Sequence, residues 1–198
     1  MTVNNLDQIK SLLDFQSDDD FYHLQIIKRK KEHPDLGSNN VVIKTYYIQS
    51  VEYLEMKFNE IQSLCDFHNA RAYINLNVRS FEKTAFQMLK KTTDIIMNKD
   101  FKAARKAFES VCGASATTRD KKWIIDIDEP VVSPLMLAHI SYKCMPISEG
   151  VNDSKIYAII PTKNGHHIIT KPFDVREFAM KYPDIEIHKN NPTILYVP

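Results

Sequence analysis

Three short stretches of the chain carry residues able to do chemistry together. The first is Trp123-Ile124-Ile125-Asp126-Ile127-Asp128-Glu129-Pro130, an apolar run that ends in acids. Side chains two apart on a strand share a face, so Asp126 and Asp128 project together, with Ile125 and Ile127 on the other side. Two carboxylates held that close repel unless a cation lies between them. An all-oxygen donor set of this kind suits Mg²⁺ or Mn²⁺. The second stretch is Pro161-Thr162-Lys163-Asn164-Gly165-His166-His167. Asn-Gly predicts a two-residue hairpin turn. His166 and His167 then open the next strand and point to opposite faces, so one of them can serve a given site. Lys163 and Lys171 bracket this hairpin as point charges for phosphate. The third is Ile185-Glu186-Ile187-His188-Lys189-Asn190. Glu186 and His188 share one strand face, and Glu186 is placed to add a third carboxylate.

The elements that must position these residues follow from periodicity. Helical spacing of Leu6, Ile9, Leu12 and Leu13 predicts a helix over 4–14. Residues 21–30 and 41–49, rich in β-branched and aromatic side chains, predict paired strands across a loop with Pro34 and Gly37. Val51, Leu54, Phe58 and Ile61 line one face of a helix over 50–67, capped by Ser50. A strand is predicted over 70–78. Ser80 caps a long helix to about residue 97, and 100–111 continues as another. Residues 112–121 read as a loop, 122–128 as the acid-ended strand, and 133–144 as a helix. After a loop at 148–154 come strands at 155–161 and 166–172, a helix capped by Asp174, and closing strands at 185–189 and 193–198. This order predicts a single α+β domain with a mixed or antiparallel sheet. Residues 1–112 are expected to form a helix and strand half, and 120–198 the half that carries the candidate metal-binding carboxylates.

Composition narrows the setting. Hydrophobic residues make up 43% and charged residues 26%, a balance that permits a buried core and argues against global disorder. No apolar run reaches the roughly 20 residues needed to span a bilayer. The N-terminus lacks the charged-then-apolar layout of a secretory signal. Cys65, Cys112 and Cys144 are scattered, which fits a reduced, cytoplasmic setting and no zinc site. The net charge is only +1, so any nucleic-acid binding has to come from local basic patches. The candidates are Lys28, Arg29, Lys30 and Lys31, with Arg71, Arg79 and the Lys90–Lys91 pair.

Taken in order, the D-x-D strand, the G-x-H hairpin and the acid-bearing strand resemble the archaeo-eukaryotic primase-polymerase superfamily over residues 120–198. Asp126 and Asp128 match the family's first motif, Gly165-His166-His167 its second and Glu186 its third. The resemblance implies an RRM-like catalytic half packed with helices. It implies that Asp126, Asp128 and Glu186 bind divalent metal. His167, with Gly165 and either Lys163 or Lys171, would meet the phosphates of an incoming nucleotide, and Lys189 falls where the family has a basic-polar segment. The serine of motif two is absent here, and the third acid is Glu where Asp is commoner. The implied activity is template-directed nucleotidyl transfer on DNA or RNA, with nucleoside triphosphates and a DNA template or primer as partners. A helicase partner and a phage or mobile-element origin follow from the family's habits. The same carboxylates also suit a metal-dependent nuclease, and the same fold suits an inactive nucleic-acid-binding accessory protein.

Overall fold

The computed structural model describes residues 2–37, 39–114, 119–144 and 155–198. Two sheets are built from antiparallel pairs throughout. The larger uses β1 (Val3–Asn4), β2 (Asp20–Lys28), β3 (Val41–Ile48), β4 (Arg71–Ile74) and β10 (Thr193–Val197) in the order β1-β10-β4-β2-β3, with β5 (Arg79–Ser80) pairing against β2. The smaller uses β6 (Trp123–Ile127), β7 (Ile156–Pro161), β8 (His166–Thr170) and β9 (Glu186–His188) in the order β7-β8-β6-β9. The helices are α1 (Leu6–Lys10), α2 (Val51–His68), α3 (Phe81–Met97), α4 (Ala107–Ala114), α5 (Pro134–Tyr142) and α6 (Val175–Lys181).

From β6 to β9 the chain runs strand, helix, strand, strand, helix, strand. The first strand sits between the third and the fourth. This is the split β-α-β arrangement of ferredoxin-like sheets, and it is α+β as the sequence predicts. Period-two alternation sets its two faces. Trp123, Ile125 and Ile127 point to one side and pack with Ile168 against Met136 and Ile140 of α5 and Phe178 of α6. Ile124 and Ile169 point the other way, into a core shared with Leu24, Ile26, Ala72 and Ile74 of the larger sheet and Leu54, Phe58 and Ile61 of α2. One apolar cluster therefore runs through both sheets and fixes the smaller sheet against the larger one.

Several boundaries differ from the sequence reading for identifiable reasons. The helix expected over 4–14 is confined to Leu6–Lys10. Val3 and Asn4 instead pair with Val197 and Tyr196 of β10, and the Asn5 side chain donates to the carbonyls of Pro161 (2.9 Å) and Ile194 (3.0 Å). The strand expected over 70–78 ends at Ile74. Beyond it the buried amides of Asn75 and Asn77 bind backbone at Asn190 and Lys122, joining this segment to the smaller sheet. The helix expected over 100–111 begins as a 3-10 segment, Phe101–Lys106, before α4. The loop expected at 148–154 lies outside the described residues. Among the described residues no helix is long and apolar enough to cross a membrane.

Candidate active site

Strand register brings the three motifs into one row. Asp126 on β6 pairs with His167 on β8 and, on its other side, with Glu186 on β9. Directly opposed residues on adjacent antiparallel strands are side-chain neighbours. Residues about sixty apart in the chain thus stand side by side on the face that is not packed against α5 and α6. His167 Nε2 lies 3.4 Å from Asp126 Oδ1, and its Nδ1 is 2.8 Å from Thr193 Oγ1. His188 Nε2 lies 3.3 Å from Glu186 Oε2. His166 faces the other way and its Nδ1 is 3.3 Å from the Glu129 carbonyl. The hydrogen bond with His167 is the main reason the Asp126 carboxyl sits below its ordinary range. Partial burial opposes this, while the charges of His167, His188 and Arg29 reinforce it.

Gly165 makes the row possible, although not as a turn residue. The hairpin loop is four residues long, since Pro161 pairs with His166. It is closed by Thr162 N–H donating to the Gly165 carbonyl (2.8 Å) and Gly165 N–H donating to Thr162 Oγ1 (3.0 Å). The expected two-residue Asn-Gly turn is therefore absent, and neither Asn164 nor Gly165 has positive φ. What requires glycine is close approach. A Cβ at 165 would fall 1.9 Å from the Ile127 carbonyl oxygen and 3.0 Å from Asp128 Cα. The hairpin lies directly against the end of the D-x-D strand, and only a residue without a side chain fits.

Basic residues gather beside the row. Arg71, buried, is ion-paired to Glu32 through Nε at 3.1 Å and through its terminal nitrogen. Lys163 Nζ reaches the same carboxylate at 3.4 Å. Burial pushes the Glu32 carboxyl up, but Arg71 and Lys163 outweigh it and hold it below the usual range. Arg29 acts electrostatically on both Asp126 and Tyr73. Tyr73 also lines a cavity of about 270 Å³, with His23, Gln25, Asn75, Arg79 and Glu109 among its walls.

The remaining predicted residues scatter. Asp128 lies past the end of β6 and is exposed. Lys171 sits beyond the far end of β8, over the Tyr157 ring at 5.8 Å. Four residues of strand put it about 13 Å from His167. Lys189 stacks over the Trp123 ring at 4.8 Å, at the other end of β6 from Asp126. Lys28, half-buried, and Lys30, exposed, flank Arg29 at the end of β2. Arg71 and Arg79 are not part of an exposed basic surface. Arg79 is 1% exposed and donates to the carbonyls of Cys112, Asn77 (2.7 Å) and Gly113 (3.3 Å), and burial lowers its pKa to about 10.

Sequence reasoning missed Glu32 and Thr193. Neither has a local signal, because each matters only through a partner more than twenty residues away. Among the described residues no three His, Cys, Asp or Glu side chains converge as a ready-made metal cage. Asp126 and Glu186, adjacent across two strands, still fit Mg²⁺ or Mn²⁺. Mg²⁺ is commonly held by one or two carboxylates and completed by water and substrate phosphate. Comparison with known proteins finds no matching family model, no similar curated protein and no similar solved structure.

Proposed function

We propose that this chain is a divalent-metal-dependent nucleotidyltransferase that extends nucleic acid on a template, in the manner of a primase-polymerase. The observation that carries the reading is the row His167–Asp126–Glu186, in which three motifs distant in sequence meet on adjacent strands. Asp126 and Glu186, with Asp128 just past the strand end, are the residues that would hold Mg²⁺ or Mn²⁺ together with the nucleotide's phosphates. Bound there, the metal would activate a 3′-hydroxyl and offset charge on the departing pyrophosphate.

The protein's own part is positioning and charge. Thr193 fixes the His167 ring from its Nδ1 side, leaving Nε2 directed at Asp126 and able to donate to a phosphate oxygen. Arg29 and Lys163 supply positive charge beside the row, and Lys163 exchanges Glu32 for phosphate when the nucleotide enters. Holding the hydroxyl and the α-phosphate in line accounts for most of the rate, since little covalent chemistry falls to side chains. A cytoplasmic location agrees with three free, buried cysteines.

Calorimetric titration with a non-hydrolysable nucleoside triphosphate tests the reading. Saturable binding that needs Mn²⁺, is lost in Asp126→Asn and is about tenfold weaker in His167→Ala is expected. Binding indifferent to Asp126→Asn would refute it.

A further inference from the structure

The cavity of about 270 Å³ is bordered by β2, β4, β5, α4 and the connection from β9 to β10, and it shares no residue with the Asp126 row. Exposed Asn191 and Pro192 stand at its rim. Two formal charges line it. Arg79 is buried, and its hydrogen bonds go to the carbonyls of Cys112, Asn77 and Gly113. A guanidinium has five N–H donors, so among the described residues two of them remain uncommitted. Even with its pKa lowered to about 10, the group is charged at neutral pH. Glu109 is half-buried and accepts from Tyr47, Thr45 and Gln25, with His23 beside it. None of these is a cation. Burial above all holds the His23 pKa below its ordinary value, against the pull of Glu109, so its ring is neutral at neutral pH. Among the described residues, Arg79 and Glu109 therefore pair neither with each other nor with any other charged group.

A buried charge is costly unless it meets an opposite one. The carbonyls at the end of α4 offset part of the Arg79 charge, as a helix C-terminus does for any cation, but they supply no anion. Gly113, whose carbonyl Arg79 holds, lies about 6 Å beyond Glu109 along α4, roughly one turn. The cation and the anion thus stand within reach of one small molecule. Other occupants fit less well. A phosphate group would set nearly two negative charges beside Glu109. A metal ion would meet one carboxylate and a guanidinium. A neutral base or sugar would leave both charges uncompensated. The volume falls below the roughly 300–1,000 Å³ of pockets for drug-sized ligands, too small for a nucleotide or a peptide.

We infer that this cavity binds a free α-amino acid, its carboxylate on the uncommitted Arg79 N–H groups and its ammonium on Glu109. The site is separate from the Asp126 row and does not depend on the proposed activity. The ligand would touch two strands, a helix and a loop, so binding should raise the thermal midpoint. The test melts the full chain with each of the twenty common amino acids and titrates the most stabilising one by calorimetry. Saturable binding is expected, about tenfold weaker or more for its deamino and decarboxy analogues, each of which lacks one charge. The decarboxy analogue reads the Arg79 end without altering a buried side chain. Glu109→Gln, which keeps size and hydrogen bonding, should weaken the amino acid about tenfold and leave the deamino analogue within about twofold. Asp126→Asn should leave both unchanged. The inference is overturned if no amino acid binds, if either analogue binds as well as the amino acid, or if Glu109→Gln has no effect. Loss of binding in Asp126→Asn, or tighter binding of guanine or inorganic phosphate than of any amino acid, would overturn it too.

Discussion

Replacing Gly165 by alanine isolates the contact on which the whole row depends. The added Cβ would stand 1.9 Å from the Ile127 carbonyl oxygen, 2.9 Å from its carbon and 3.0 Å from Asp128 Cα. All three neighbours are backbone atoms, so no side chain can swing aside. Restoring ordinary contact of at least 3.4 Å requires the hairpin and the end of β6 to separate by about 1.5 Å. Overpacking of this kind costs about 2 kcal/mol, or roughly 4–8 °C in Tm for a domain of this size. The larger effect falls on the site. His166 is paired with Ile127 next to the clash, and His167 with Asp126 one residue further. A shift of about 1 Å between groups that must act together can lower a rate about a hundredfold. Chemical denaturation and Mn²⁺-dependent nucleotide binding, measured on the same preparation, separate the two effects. A Gly165→Ala protein with wild-type stability and wild-type binding would show that the hairpin does not lie against the D-x-D strand.

Other perturbations read single links. Glu109 accepts from the Tyr47 hydroxyl (2.7 Å) and meets His23 and Gln25 at 3.2 and 3.4 Å. Glu109→Ala should cost about 1–2 kcal/mol in denaturant titration. Burial and then the Glu109 carboxylate raise the Tyr47 phenol above its ordinary value, so its ultraviolet titration should move down in the variant. Ser80→Ala removes the side chain that accepts from Lys83 N–H at 3.0 Å and should cost about 1 kcal/mol of stability. The folded-state pKa of Asp126 is depressed. Its contribution is therefore complete above the unfolded carboxylate value and lost as pH falls through the folded one. In metal-free buffer, Asp126→Asn should flatten the loss of stability below about pH 4, and an unchanged acid limb would contradict the His167 contact.

Local chemistry made most elements legible. Ser50, Ser80 and Asp174 each cap the helix they precede, with side-chain oxygens accepting from Tyr53, Lys83 and Arg176 N–H groups. Alternation along Trp123–Ile127 correctly set Ile125 and Ile127, which pack against α5 and α6, on the side opposite Asp126. What escaped was long-range. Nothing near residue 193 says that the last strand returns to the first sheet between β1 and β4, or that Thr193 then holds His167. Arg71 and Arg79 read as surface cations, because their carboxylate and carbonyl partners are at least thirty residues away, apart from the Asn77 carbonyl. Gly165 read as a turn former, whereas its need is the carbonyl of a strand laid down earlier in the chain. Motif order was visible in one dimension, and the row itself is a product of register.

The central claim is tested most directly by extension of a labelled primer on a template with Mn²⁺ and all eight nucleotides, wild type against Asp126→Ala/Asp128→Ala and His167→Ala. The account predicts template-directed products from wild type, none from the double variant, and a rate reduced by about a hundredfold in His167→Ala. Extension that survives the double variant, metal-dependent degradation in place of extension, or binding of the primer–template with no turnover would each contradict it.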